Sequence, residues 1–237
     1  MPRFERAWLL ARHLRSLNEK KWLQWRGPSD MNEPMSWPPR YIAVTGAVGV
    51  GKTTFARSLA GALGGAAICE AFETNPFQRE GAFETVFWFV LLHLDQLKAG
   101  VGGCDAPPVV SGFFLPHDRY FALAELDRAD LRAYDALLVR AVAKAPEPDL
   151  VIFLHAPWKI CEAHIARRGR AWELADGRTL LRKVHRHFSD LWKRRPPSRT
   201  FLKIDWRPSS LEEARTLAGA LTAEWLRRRE KRRRSAR

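Results

Sequence analysis

The sequence has few cysteines and no clustered set of metal-binding residues. Its three cysteines, Cys69, Cys104 and Cys161, are odd in number and lie far apart along the chain. They form neither a disulfide framework nor a pattern of metal ligands. These absences exclude a disulfide-stabilised secreted scaffold and favour a reducing compartment, so we expect a cytoplasmic protein.

Long apolar segments are also missing. The longest apolar run extends from Val86 to Leu94 and is interrupted by His93, whereas a helix that spans a bilayer needs about 20 apolar residues. The N-terminus has no continuous apolar segment followed by a small-residue cleavage site. We therefore expect no transmembrane segment and no secretory signal, and we interpret the apolar run as a buried helix.

The positive charge of the chain is concentrated at its ends. Of the total of +14, residues 227–237 carry +7 and residues 1–40 carry +4, which leaves +3 for residues 41–226. A mildly basic body is typical of an enzyme that handles phosphates. The basic tail is rich enough in arginine to contact nucleic acid or an anionic surface, and the alternative is a solvated, disordered tail.

The chain divides into an N-terminal extension with a proline-rich linker (1–40), one domain (41–226) and the basic tail (227–237). Apolar residues at three- and four-residue steps predict an amphipathic helix over residues 3–17. This helix contacts a membrane, a partner or its own domain, or it is upstream sequence that precedes a later start at Met31 or Met35.

Apolar strands alternate with helices throughout residues 41–226. Continuous apolar runs in the strands predict a parallel sheet with helices on both faces, which is a three-layer α/β fold. The predicted strands are 41–45, 66–69, 108–111, 150–155 and 200–204. The predicted helices are 52–63, 83–97, 119–126, 128–143, 158–168, 179–192 and 210–229.

A glycine-rich segment joins the first predicted strand to the first predicted helix. Residues 46–53 read GAVGVGKT and match the P-loop pattern GxxxxGK[ST] in the context it requires. Such a loop turns successive amides toward the phosphates of ATP, the lysine neutralises their charge and the threonine hydroxyl ligates Mg²⁺. The predicted nucleotide-binding residues are Gly46, Ala47, Val48, Gly49, Val50, Gly51, Lys52, Thr53 and Thr54.

From residue 41 to about residue 205, the order of motifs resembles the deoxyribonucleoside kinase family, especially its bacterial deoxyguanosine and deoxyadenosine kinase branch. After the P-loop, ICEAFETNPF looks like the family's second strand with its acidic residue, and FETVFWFVLLHLDQ is similar to its substrate-pocket helix. PDLVIFLHAP looks like a later core strand, and RRGRAWE like the arginine-rich lid. The resemblance implies a three-layer P-loop kinase fold with a parallel sheet of about five strands.

The resemblance also assigns roles to particular residues. Glu70 would accept the proton of the acceptor's 5′-hydroxyl or help Thr53 to hold Mg²⁺; the alternative is a solvated acid beyond a strand. Arg168 and Arg170 would balance the charge on the transferred phosphoryl group, unless they only complement a helix dipole. Glu173 matches the family acid that contacts the sugar 3′-hydroxyl.

Two positions depart from the family pattern. Gly112 stands where the family carries an acid that contributes to the metal and phosphate environment. Asp118 and Arg119 lie about a turn further on and could substitute for it in part, and Arg119 is also a candidate substrate-binding residue. Glu84 stands where the family has a glutamine that hydrogen-bonds the base. A carboxylate there would favour the guanine edge with its N–H donors, unless the helix is aligned one turn off.

Two aromatic residues near this glutamate, Phe83 and Phe87, are candidates for stacking on the base. The alternative is that they belong to the core.

The predicted function is transfer of the γ-phosphoryl group of ATP, with Mg²⁺, to the 5′-hydroxyl of a deoxyribonucleoside, with a purine as the expected base. One alternative is a degenerate relative that binds nucleotide with little turnover, as Gly112 would permit. Others are a P-loop kinase of another acceptor, such as a nucleoside monophosphate, and a nucleic-acid-associated NTPase that uses the basic tails. Family members are commonly dimers, so the resemblance adds a homodimer in which helix 83–97 contributes to the interface.

Overall fold

The structure of the protein is a computed structural model. It describes residues 39–77, 81–102, 108–174, 177–194 and 201–206, together with Thr216 and Gly219. The predicted N-terminal helix (3–17), the last predicted helix (210–229) and the basic tail lie outside these residues, apart from Thr216 and Gly219. The same is true of most of the predicted linker.

Five parallel strands form one sheet in the order β2-β3-β1-β4-β5. They are β1 (Tyr41–Thr45), β2 (Ala66–Ile68), β3 (Val109–Ser111), β4 (Leu150–His155) and β5 (Phe201–Asp205). Register pairs Ala43 of β1 with Ser111 on one side and with Val151 on the other. The first strand is therefore central, and its carboxyl end opens between the ends of β3 and β4.

Seven helices lie among the described residues. They are α1 (Lys52–Ala62), α2 (Ala82–Gly100), α3 (Arg119–Glu125), α4 (Arg128–Val142), α5 (Trp158–Arg168), α6 (Ala171–Leu174) and α7 (Gly177–Arg194). Two short 3-10 turns, Phe72–Thr74 and Leu115–Asp118, follow β2 and β3 respectively. The predicted helices and strands of this part of the chain are all present, with bounds that differ by three residues at most.

Alternation along the strands divides the core into two halves. Tyr41 and Ala43 of β1 face one apolar cluster, which α2, α3, α4 and α7 cover. Ile42 and Val44 face the other cluster, which α1 and α5 cover. Since both faces of the sheet are buried under helices, the predicted three-layer α/β fold is confirmed.

The apolar run that the sequence places in a helix is indeed helical. Val86, Val90 and Leu97 of α2 are buried in the first core cluster. Among the described residues, none of the helices has the length and apolar character that a membrane crossing requires.

Candidate active site

The segment between β1 and α1 has the backbone of a phosphate-binding loop. Gly46, Gly49 and Gly51 have φ angles of 145°, 79° and 100°, in the region that favours glycine. A side chain at Gly46 would place its Cβ 2.3 Å from the carbonyl oxygen of Leu154, and one at Gly49 would lie 2.4 Å from that of Cys161. The loop conformation therefore depends on these glycines.

Contacts within and behind the loop hold it in place. The Nζ of Lys52 donates to the carbonyl oxygen of Ala47 at 3.1 Å, so the side chain curls back over the loop. The amide of Val50 donates to the same carbonyl at 3.3 Å. From α5, the Nδ1 of His164 lies 2.8 Å from the carbonyl oxygen of Gly49. No described side chain caps the N-terminus of α1, so its first amides are available to an anion.

The hydroxyl-bearing residues of the motif begin helix α1. Thr53 and Thr54 are both exposed in its first turn. Thr53 thus presents an oxygen at the mouth of the loop, and oxygen is the ligand that Mg²⁺ prefers.

Glu70 lies beside the loop, two residues after the end of β2. Its side chain is 34 % exposed, and its charge acts on Lys52: burial lowers the pKa of Lys52, while the Glu70 carboxylate raises it in partial compensation. Lys52 follows β1 and Glu70 follows β2, both at the carboxyl end of the parallel sheet, where ligands of such folds bind. The structure therefore brings Lys52 and Glu70 together, as the sequence predicts.

A histidine that the sequence analysis did not assign to the site adjoins Glu70. His93 of α2 is only 2 % exposed, and its Nδ1 lies 2.7 Å from Oδ2 of Asp118. Its Nε2 lies 3.9 Å from Oε2 of Glu70, and its ring stacks on Phe113 with centroids 3.8 Å apart. The signal in the sequence was that His93 is the one polar residue in the apolar run 86–94.

Opposing effects set the pKa of His93. Burial lowers it, but the charge and hydrogen bond of Asp118, with a contribution from Glu70, outweigh burial and raise the pKa above its usual value. Asp118 is thus engaged with His93, and its charge also raises the pKa of Lys52, against the larger effect of burial.

Gly112, at the position of the missing acid, has room for a side chain. Its amide donates to the carbonyl oxygen of Ile68 at 2.7 Å, which joins the ends of β2 and β3. A Cβ at Gly112 would meet its nearest neighbours, in Ile68 and Cys69, at 3.7 to 3.9 Å, which is ordinary van der Waals contact. The absence of the acid is therefore not imposed by crowding.

Arg168, the last residue of α5, and Arg170, just beyond it, are held by acids. Arg168 forms a two-pronged contact with Glu173, in which Nε donates to Oε2 at 3.0 Å. Arg170 pairs with Glu73 near the end of β2, and its Nη1 lies 3.6 Å from Oε1 of Glu173. The Glu173 side chain is 1 % exposed, so two guanidinium groups share one buried carboxylate.

Aromatic stacking joins this arginine segment to the segment after β2. Trp172 stacks on Phe72 with centroids 5.0 Å apart, and the guanidinium of Arg170 lies 4.8 Å from the centre of the Phe72 ring. Phe72 also stacks on Phe89 of α2. The predicted lid therefore lies against the same side of the domain as Glu70.

The other predicted substrate-binding residues lie at separate places. Glu84 is exposed in the first turn of α2. Phe83 and Phe87 stack on each other at 6.0 Å and pack against the first core cluster. Arg119 is buried and donates to both carboxylate oxygens of Asp135, at 2.7 and 2.9 Å. Their roles toward a substrate stay predictions.

Comparison with known proteins was made by sequence and by fold. No protein-family model matches the chain. The chain is similar to the deoxyguanosine kinase of Bacillus subtilis (strain 168), with 26 % identity over 142 residues that cover 56 % of this chain and 69 % of the relative. It is also similar to the deoxyadenosine/deoxycytidine kinase of the same organism, with 24 % identity over 162 residues, 63 % of this chain and 75 % of the relative.

Solved structures share the fold. The deoxyadenosine kinase from M. mycoides with the products dCMP and a flexible dCDP has a TM-score of 0.66 and 21 % identity, covering 78 % of this chain and 99 % of that one. The same kinase with bound dATP has a TM-score of 0.61 and 21 % identity, covering 77 % and 99 %.

The fold and the phosphate loop are those of a P-loop protein, and the relatives in sequence support a kinase-like phosphotransferase. Within that class, the relatives in sequence and in fold confirm the resemblance to the deoxyribonucleoside kinase family.

Proposed function

We propose that the protein transfers the γ-phosphoryl group of ATP to the 5′-hydroxyl of a deoxyribonucleoside. The observation that carries this proposal is the placement of Glu70 beside Lys52 and the glycine loop, at the carboxyl end of the sheet. The loop amides and Lys52 bind the triphosphate, and Glu70 accepts the proton of the hydroxyl. A neutral acceptor hydroxyl beside a triphosphate loop needs such a carboxylate.

Mg²⁺ fits the oxygen ligands of this site. Thr53 is exposed at the mouth of the loop and Glu70 is partly exposed beside it, and phosphate oxygens would complete the coordination. Within the described residues, no group of three or more His, Cys, Asp or Glu forms a separate metal cage. Thr53 and Glu70 would hold the ion, which would neutralise the charge of the phosphates.

The arginine segment supplies the remaining positive charge in this proposal. The guanidinium groups of Arg168 and Arg170 both contact the carboxylate of Glu173, so they lie close together. As the γ-phosphoryl group transfers, guanidinium groups stabilise the charge on its oxygens better than a single lysine would. Glu173 positions both arginines, and it retains the proposed contact with the sugar 3′-hydroxyl.

We propose a purine deoxyribonucleoside as the acceptor. The two similar proteins of Bacillus subtilis are named for deoxyguanosine and for deoxyadenosine or deoxycytidine, so both names include a purine. If Glu84 reaches the base, its carboxylate accepts hydrogen bonds from the guanine edge.

The helix α2 supports the further proposal of a homodimer. Leu91 on α2 is 49 % exposed, although it is a large apolar residue, and such a residue is suited to a helix-to-helix contact. The free Cys69 and Cys161 are consistent with a cytoplasmic location.

The experiment that tests the proposed function incubates purified full-length protein with ATP, Mg²⁺ and a panel of deoxyribonucleosides and nucleoside monophosphates, with products identified by mass spectrometry. We expect purine deoxyribonucleoside monophosphates. Diphosphates made from the monophosphates would favour the kinase of another acceptor. Nucleotide binding without any product would favour the degenerate relative that Gly112 permits.

A further inference from the structure

One nitrogen of His93 is buried and has no hydrogen-bond partner among the described residues. This atom is Nε2, and a buried polar group without a partner costs about 1–3 kcal/mol. Oε2 of Glu70 lies 3.9 Å from it. Nε2 therefore can form a hydrogen bond with a bound molecule, next to the proposed catalytic carboxylate of Glu70.

The orientation of the His93 ring is held from two sides. An ionised carboxylate can only accept a hydrogen bond, so Nδ1 donates to Asp118 across their 2.7 Å separation. The ring face lies flat on Phe113, with 8° between the two planes. Because the ring can neither turn nor tilt without losing one of these contacts, Nε2 stays directed toward Glu70.

The separation of Nε2 from Oε2 of Glu70 suits a single bridging oxygen atom. At 3.9 Å the two atoms are too far apart for a hydrogen bond to each other. An oxygen about 2.8 Å from each of them would complete a hydrogen bond on both sides. A hydroxyl has the required groups, since it donates one hydrogen and accepts another.

We propose that His93 binds the acceptor's reacting hydroxyl together with Glu70. The inference rests on the proposed function and adds a residue to its site. Nδ1 faces Oδ2 of Asp118, so Nε2 is the ring nitrogen left for the hydroxyl. Nε2–H donates to the hydroxyl oxygen, and the hydroxyl hydrogen points to Glu70.

The chemical step balances with these two residues. The hydroxyl oxygen forms a bond to the γ-phosphorus, and the bond from that phosphorus to the β-phosphate oxygen breaks, releasing ADP. The hydroxyl proton passes to Glu70, and His93 keeps its own proton throughout. Asp118 acts through His93 as a positioning residue. This role differs from the metal binding that the resemblance implies for an acid at position 112.

The test compares two ligands that differ only in the reacting hydroxyl. Calorimetry measures the affinity of the full-length protein for 2′-deoxyguanosine and for 2′,5′-dideoxyguanosine. A hydrogen bond to a charged group contributes about 1.5–3 kcal/mol, which corresponds to a preference of about 10- to 100-fold. We expect the unmodified protein to prefer the hydroxyl-bearing ligand by a factor in that range.

Two substitutions of His93 separate its nitrogen from its ring. His93→Phe keeps an aromatic ring against Phe113 and removes the donor, so the preference should fall at least several-fold. His93→Gln keeps an N–H donor at a similar reach, so it should retain most of the preference. Since His93→Phe leaves Asp118 without its partner, the double variant His93→Phe with Asp118→Asn provides the same comparison in a protein without that unpaired charge.

The outcomes distinguish the two proposals. An unchanged preference in folded His93→Phe, or in the double variant, would overturn the role of His93 and leave the proposed function standing. If the unmodified protein binds neither ligand nor phosphorylates any nucleoside, the acceptor class is wrong and the role of His93 fails with it. A thermal shift with Mg²⁺ and ATP that is equal in all variants shows that the phosphate loop is intact.

Discussion

Lys52 is the residue of the site that we expect to contact the phosphates most directly. Its ammonium group lies over the loop, bonded to the carbonyl oxygen of Ala47. Lys52→Ala should lower the rate of phosphoryl transfer about a hundredfold or more, because a charge that stabilises the transferring group is lost. Circular dichroism should remain native, since no core contact depends on the ammonium. A steady-state rate equal to that of the unmodified protein would remove the loop lysine from the mechanism.

At Gly112 the prediction concerns a gain rather than a loss. The position has room for a Cβ at ordinary contact distance, and it lies where the resemblance implies an acid. Gly112→Asp should raise activity at limiting Mg²⁺, because a further carboxylate adds an oxygen ligand or charge near the ion. The measurement is kcat/KM across a range of Mg²⁺ concentrations, with Gly112→Ala as the control for the added side chain. Equal Mg²⁺ dependence in the two variants would place the position outside the metal environment.

The sequence predicts site residues that are neighbours along the chain, but not contacts between distant residues. Lys52 and the loop glycines form one continuous motif, and the backbone angles of Gly46, Gly49 and Gly51 agree with it. The contact of His93 with Glu70 and Asp118 joins three separate segments. No local pattern contains that contact, because only the strand order brings the segments together.

Between elements, a buried ion pair joins α3 to α4. Arg119 and Asp135 are both buried and bonded through two nitrogen–oxygen contacts. Arg119→Met should cost about 3–5 kcal/mol of unfolding free energy, because Asp135 would remain as an uncompensated buried charge. Urea denaturation measures this loss.

The double variant Arg119→Met with Asp135→Leu is the matched control for this pair. It should recover much of the lost stability, since neither charge is left unpaired. A double variant as unstable as Arg119→Met would show that the cost comes from other contacts of Arg119. If the double variant is stable but inactive, the predicted substrate-binding role of Arg119 gains support.

Strands with apolar runs and long periodic helices were predictable, and the shortest helical segments were not. Helix α5 and strand β4 have the bounds that their patterns predict, Trp158–Arg168 and Leu150–His155. The short helix Ala171–Leu174 and the 3-10 turns Phe72–Thr74 and Leu115–Asp118 were missed. Segments of three or four residues complete about one helical turn, so they show no period that the sequence could reveal.

For the whole molecule, half of the net positive charge lies in a segment that contains none of the proposed site residues. Residues 227–237 carry +7 of the total of +14, whereas the phosphate loop, Glu70 and His93 all lie within residues 46–93. Removal of residues 227–237 should leave kcat/KM for a deoxyribonucleoside within about twofold, because none of the proposed contacts is lost. It should also weaken any salt-dependent binding to a polyanion. Loss of nucleic-acid binding together with altered ATP hydrolysis would instead favour an NTPase that uses its tail.

The most direct measurement follows the γ-phosphoryl group itself. Full-length protein is incubated with Mg²⁺, 2′-deoxyguanosine and ATP whose γ-phosphoryl oxygens are ¹⁸O, and mass spectrometry locates the label. The account predicts heavy oxygen in the 5′-phosphate of the deoxyribonucleoside monophosphate, with ADP formed in equal amount and with the reaction lost in Glu70→Gln. Label found in inorganic phosphate alone, or full transfer by Glu70→Gln, would contradict it.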